Sequence, residues 1–228
     1  MYQSFLQPKE MHSRQSEISQ ICFERRISSL VHFTRIENLA SILNLGLLPR
    51  SELETRSHDL NPVFNDKHRL DGHPEAISLS IGYPNWRMFH KYSHANKEEW
   101  VVLLLRPDIL WEKDCAFLAD NAASNNIRWL PLDVCKRPKS LMGLFDDFAD
   151  LKRETLKLPV CYPTNPQAEV LVFEPIPPMY IFKVYFFDQQ AYKEWADQNK
   201  IPLNLVRISK EFFRPRKDYK LYQIPAYA

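Results

Sequence analysis

Glycine is the conspicuous shortage. There are four in 228 residues, at 46, 72, 82 and 143, against a usual share near ~7%. No two stand close enough for G-x-G-x-x-G or G-x-x-x-x-G-K-[ST], so a Rossmann fingerprint and a Walker-A loop are excluded. A nucleotide would have to be held by another route. Cysteine is equally sparse: Cys22, Cys115, Cys135 and Cys161 are widely spaced and form no C-x-x-C. That pattern supplies neither a disulfide framework nor the ligand pairs of a zinc knuckle, and points to reduced thiols. Long apolar runs are missing too. The longest aliphatic one is Val101–Leu105, far short of the ~20 residues that span a bilayer, and the first residues carry no signal-peptide run. Nor is there strong charge of one sign. Thirty Lys+Arg face 28 Asp+Glu, a net charge of +2, which excludes a basic coat protein and an acidic disordered tail. The expectation is a cytoplasmic protein with no membrane association.

What is present reads as a strand-rich α+β domain. Residues 1–28 are polar with weak periodicity and predict a weakly structured arm, leaving 29–228 as the domain. Ser29–Thr34 alternates as a strand does. A helix follows, with Thr34 as N-cap and Glu37 at N3 forming a capping box, an apolar stripe of Ile36, Leu39, Ala40 and Leu43, and Gly46 as its stop. Residues 49–75 read as one long polar loop, and 107–140 as irregular. Strands are expected at 76–81, 100–105, 168–173, 179–187 and 203–208, and helices at 86–92, within 141–156, and at 189–198.

Several groups carry possible chemistry. His32 and Thr34 point to one face of their strand, where an imidazole and a hydroxyl could hold a sugar diol. The alternative is that Thr34 only caps and His32 fills a partly buried position. Glu169 opens an apolar strand and shares a face with Leu171 and Phe173, while Glu174 falls on the other face. Desolvation there makes a carboxylate a stronger base; a rim glutamate at a strand end is the other reading. Arg50, Arg56 and Arg69 offer guanidinium forks for a pyrophosphate, or are merely solvated. His90 and His94 stand at i, i+4, but Lys91 follows His90, so H-E-x-x-H fails and no metal is expected. Arg207–Tyr222 holds six Lys+Arg and two acids, a balance of +4, interleaved with Phe212, Phe213, Tyr219 and Tyr222. Such a segment can neutralise phosphates and stack on unpaired bases, or can be a packed C-terminal strand.

Taken in order, these pieces resemble the DarT family of DNA ADP-ribosyltransferase toxins over most of the chain. The similarity rests on Val-His-Phe-Thr-Arg-Ile-Glu-Asn-Leu-Ala-Ser-Ile-Leu-Asn-Leu-Gly-Leu-Leu (31–48), Phe-Asn-Asp-Lys-His-Arg (64–69), Tyr-Pro-Asn-Trp-Arg-Met-Phe (83–89), Gln-Ala-Glu-Val-Leu-Val (167–172) and Arg-Lys-Asp-Tyr (216–219). The resemblance implies an ADP-ribosyltransferase fold, a split β-sheet around an NAD cleft with flanking helices. It implies NAD as co-substrate, with His32, Thr34, Asn38 and Arg56 as NAD-binding residues. Glu169 becomes the catalytic glutamate and Arg69 the catalytic arginine, with Arg56 as the fallback. Arg214, Arg216, Lys217 and Tyr219 are then expected to meet nucleic acid. Single-stranded DNA is the implied substrate and a macrodomain antitoxin the implied partner. Where thymine-directed relatives carry Leu-His-Asp-Tyr-Val-Pro-Phe-Tyr-Phe, this chain has Leu-Asp-Gly-His-Pro-Glu-Ala-Ile-Ser-Leu-Ser (70–80), so it looks more like the guanine-directed branch. An enzyme of the same fold acting on RNA or protein, and a non-catalytic binding module using the basic tail, are the competing readings.

Overall fold

An unbroken aliphatic run has no polar face for water, so it must be covered on both sides. The segment Trp100–Leu105 is such a run, and every residue in it is buried. The structure, a computed structural model, describes residues 8–56, 60–64, 72–125 and 127–221. Its seven-stranded sheet comprises β1 (Leu30–Arg35), β2 (Ile77–Ile81), β3 (Trp100–Leu105), β4 (Cys115–Leu118), β5 (Glu169–Val172), β6 (Ile181–Phe186) and β7 (Val206–Ile208), in the order β4-β5-β2-β1-β3-β6-β7. All neighbours are antiparallel except β6 and β7.

The sheet is split. β1 pairs with β3 along its whole length, but with β2 only through Leu30↔Ile81 and Val31↔Ser80. Beyond Val31 the two strands no longer pair, so β4-β5-β2 and β1-β3-β6-β7 form two halves joined at one end. On one face, Val101, Leu103 and Leu105 of β3 enter the main core with Leu30, Ile77, Leu79, Val170 and Val172. On the other, Trp100, Val102 and Leu104 pack with Phe89, Phe212 and Phe213. A third cluster gathers Leu171 with Ala76, Ala116, Leu118, Ala122 and Cys135.

The helices correct several expectations. The arm 1–28 is not weakly structured throughout: Pro8–Glu24 forms a helix of 17 residues, α1. Its Ile18, Ile21 and Cys22 are buried in the main core, at i, i+3 and i+4 on one helix face. Burial of each large apolar side chain is worth roughly 1.5–3 kcal/mol, enough to dock an otherwise polar helix. The capping box does not form. Thr34 lies within β1, a 3-10 turn spans Ile36–Asn38, and α2 (Leu39–Leu45) starts without a side-chain cap. Gly46 does end α2, at φ +86, and a Cβ there would sit 2.1 Å from the Ile176 carbonyl oxygen. The polar stretch after Pro49 contains a helix, α3 (Arg50–Thr55). The irregular region 107–140 contains β4 and the short helices Ile109–Glu112, Leu132–Cys135 and Pro138–Gly143. The tail makes 3-10 turns at Glu211–Phe213 and Tyr219–Leu221 after the short β7. Among the described residues no helix is long and apolar enough to cross a membrane.

Candidate active site

Where β1 and β2 part, a cavity of about 670 Å³ opens, within the ~300–1,000 Å³ typical of ligand sites. His32 and Thr34 of β1, Ser78 of β2 and Glu169 of β5 all line it. The two halves of the sheet thus bring the early imidazole and the late carboxylate to one recess.

Glu169 is the first residue of β5, opposite Leu118, and is 5% exposed. Leu171, on the same face, enters the third cluster, so the apolar part of the strand fixes where the acid projects. The turn after β4 then grips the carboxylate. Asn121 Nδ2 donates to Oε1 at 3.1 Å and the Ala122 backbone N–H donates to Oε2 at 3.0 Å. That turn is itself braced. Asp120 Oδ1 accepts from the Asn121 N–H at 2.9 Å and from Asn165 Nδ2 at 2.9 Å. The second carboxylate, Glu174, is engaged elsewhere, accepting from Lys113 Nζ and the Asp114 N–H at 2.9 Å each.

His32 Nδ1 lies 3.1 Å from the Ser78 carbonyl oxygen, across the gap between the sheet halves. A carbonyl can only accept, so Nδ1 carries the proton, and in the neutral ring Nε2 is the acceptor nitrogen. Thr34 is buried and its hydroxyl accepts from Asn38 Nδ2 at 3.0 Å. The Asn38 amide also pairs with the backbone of Val63: Nδ2 donates to its carbonyl at 2.8 Å, and Oδ1 accepts from its N–H at 2.9 Å. Asn38 lines the cavity and fastens segment 60–64 beside it.

The arginines divide. Arg50 lines the cavity, stacks its guanidinium 4.5 Å above the Phe64 ring and donates to Glu54 at 2.7 Å. Arg56, expected to bind NAD, is not part of the lining; it pairs with Glu52 one turn back on α3 at 3.1 Å. Arg69 lies outside the described residues.

The tail corrects the nucleic-acid expectation at its centre. Arg216 is 4% exposed. Its guanidinium grips Asp218 through two bonds of 2.8 Å and donates to the carbonyls of Pro163 at 2.8 Å and Thr164 at 3.0 Å. Both its charge and its donors are thus engaged inside the protein. The Tyr83 hydroxyl reaches the Glu211 and Arg214 carbonyls at 2.7 and 2.8 Å. Burial, with the neighbouring Tyr162 and Glu211, pushes that phenol up, so it stays protonated. Arg214, Lys217 and Tyr219 remain exposed, and Tyr222 lies outside the described residues.

The histidine pair behaves as neighbours. The His90 and His94 rings lie 5.8 Å apart, and partial desolvation, then Lys97 and His94, lower the His90 pKa. Among the described residues no group of three His, Cys, Asp or Glu could hold a metal ion. Asn121, Arg87 and Asn85 are among the cavity residues that escape the sequence reading. Asn121 is far in sequence from the carboxylate it holds, and no spacing reveals that pairing. Arg87 and Asn85 stand inside the motif 83–89, where only a fold could show which side faces the cleft.

The arrangement offers a fixed, buried carboxylate and an oriented imidazole on opposite strands of an opened sheet. Such a site can hold a sugar-bearing ligand and accept a proton. Comparison with known proteins agrees with this architecture. A family model described as "ssDNA thymidine ADP-ribosyltransferase, DarT" matches residues 31–214. No curated protein sequence matches significantly. Among solved structures, Thermosipho africanus DarTG in complex with ADP-ribose is 20% identical, with a TM-score of 0.55, covering 82% of this chain and 52% of that one. The chain therefore spans about half the length of that relative. Thermus sp. 2.9 DarT in complex with carba-NAD+ is 17% identical, with a TM-score of 0.53, covering 82% of this chain and 97% of that one. These likenesses show a shared fold, and the family match over 31–214 goes further: the chain belongs to the DarT family.

Proposed function

We propose that this chain transfers ADP-ribose from NAD+ to a base of single-stranded DNA, that the base is guanine, and that it acts as the toxin of a pair whose antitoxin carries a macrodomain. One observation carries the reading: Glu169 and His32 line the same dinucleotide-sized recess at the split of the sheet. Family membership supports the reaction class, and the solved relatives bound to carba-NAD+ and ADP-ribose support the ligand.

In the proposed reaction the bond from ribose C1″ to nicotinamide breaks as a base nitrogen bonds to C1″. Nicotinamide leaves and the base loses a proton. His32, with its proton fixed on Nδ1, presents an acceptor nitrogen to a sugar hydroxyl. Thr34 and Asn38 flank it. Glu169 bonds the 2″-hydroxyl, stabilises the oxocarbenium-like cation and accepts the proton from the base, a general-base role worth about 10²–10⁴-fold. Asn121 and the Ala122 N–H keep the carboxylate aimed. Arg69 is assigned as the catalytic arginine on the resemblance alone. The single-stranded acceptor follows from access, since a duplex hides the reactive edge of a base.

The choice of guanine rests on residues 70–80, which lack the stretch of the thymine-directed relatives; the family description itself names thymidine. The test is to incubate the protein with NAD+ and mixed-sequence single-stranded DNA, digest, and weigh the nucleosides. Deoxyguanosine gaining ADP-ribose is the expected result. Modified thymidine would overturn the base. Unmodified DNA, with ADP-ribose gained instead by RNA or protein offered in parallel incubations, would overturn the DNA acceptor.

A further inference from the structure

One wall of the cavity is left without a role by this scheme. It is the helix Trp86–Ser93, preceded by Asn85 as its N-cap. Asn85 is 2% exposed and lines the cavity. Its backbone N–H donates to Ser80 Oγ and its Oδ1 accepts from the Met88 N–H, both at 3.2 Å. Its Nδ2 has no partner among the described residues. A buried donor left unmatched is costly, on the order of 1–3 kcal/mol, and this one belongs to a residue that lines the cavity.

Arg87 and Lys91 stand on the same wall one helical turn apart, and both line the cavity. Among the described residues Arg87 has no ion pair. Among the described residues the Lys91 ammonium meets the Tyr92 ring, 6.0 Å from its centroid, and no carboxylate. The helix carries no acidic residue. Three sets of donors, two of them cationic, thus stand on one wall, and among the described residues none of them is paired with a carboxylate.

The same helix joins the cavity to the tail. The Trp86 ring meets Tyr219 edge-on at 6.1 Å, and Phe89 packs on Phe213 at 5.6 Å. Exposed Arg214, Lys217 and Lys220 therefore lie in the segment that packs on this helix, a continuation of its basic side chains. A small anion needs no such continuation, whereas a polyanion follows it.

We propose that Arg87 and Lys91, with the Asn85 amide, form a phosphate subsite whose occupant is a backbone phosphate of the acceptor strand. The inference rests on the proposed transfer to single-stranded DNA, but the two fail separately. Anisotropy of a labelled single-stranded oligonucleotide, read without NAD+, reports the strand alone; mass spectrometry of nucleosides reports transfer. The double variant R87Q/K91Q changes one half-buried and one exposed side chain and leaves Asn85 in place. Relative to the unaltered chain, its oligonucleotide Kd is expected to weaken on the order of tenfold at moderate salt. Its slope of log affinity against log salt is expected to shrink by about 1.4, for two contacts of about 0.7 each. The charge-conserving R87K/K91R is expected to recover most of both, and the rise in melting temperature produced by NAD+ is expected to stay the same in every variant. Unchanged oligonucleotide affinity would overturn the proposal. Loss of the NAD+ shift would also overturn it, by placing the pyrophosphate there instead.

Discussion

The tail from Arg207 to Leu221 and the cavity wall from Asn85 to Lys91 are both basic and both aromatic, yet their cations stand in opposite conditions. In the tail, Arg216 is buried and pinned to Asp218, Pro163 and Thr164. In the wall, Arg87 lines a cavity with no carboxylate against it among the described residues. Two arginines that look alike in sequence are thus a clamp on a loop in one place and an open donor in the other. The difference is set by what the fold brings to each guanidinium, and a charge count cannot report it.

The sharpest probes alter the cavity and the tail in turn. Glu169→Gln removes the proposed proton acceptor at nearly constant size, and its amide nitrogen faces one of the two donors, Asn121 Nδ2 or the Ala122 N–H, that the carboxylate accepts from. Transfer is expected to fall by about 10²–10⁴-fold, with a melting temperature lower by roughly a few degrees for the one buried bond lost; comparison of initial rates on single-stranded DNA checks it. Arg216→Ala should do the reverse. It leaves Asp218 buried without its partner, which costs about 3–5 kcal/mol, so a melting temperature lower by roughly ten degrees is expected. If Arg216→Ala melted like the wild type but lost DNA affinity, the contrast would break. Lys217→Gln is the mildest change. This neighbour is exposed, so stability stays and the salt slope of oligonucleotide binding drops by about 0.7.

Where local pattern carries the outcome, the sequence was legible. β3 declares itself because a continuous apolar run admits no exposed face. β2, β5 and β6 were visible for similar reasons, and so was the stop of α2, because Gly46 is the residue that can pass the Ile176 carbonyl at positive φ. α1 was not legible: its docking rests on Ile18, Ile21 and Cys22 near one end of a polar helix, too few to set a period. β4 is four residues long, too short for alternation. The sequence reads Thr34 as a cap because Ser, Thr and Asn bond backbones and side chains alike; in the fold the strand continues one residue past it and its hydroxyl accepts from Asn38.

The site divides the same way. The sequence named Glu169 and His32, and the cavity receives both. It could not show that Arg56 turns to Glu52, that Arg216 is inside, or that Asn121 reaches Glu169 from another segment. Each of those facts is a long-range or rotameric event with no signature at fixed spacing.

The bond from His32 to the Ser78 carbonyl has one more implication. A side chain here stands in for a backbone rung, stitching two half-sheets at the width the crevice needs. The work of parting the strands is therefore done when the chain folds, and a guest entering later meets a doorway already propped open.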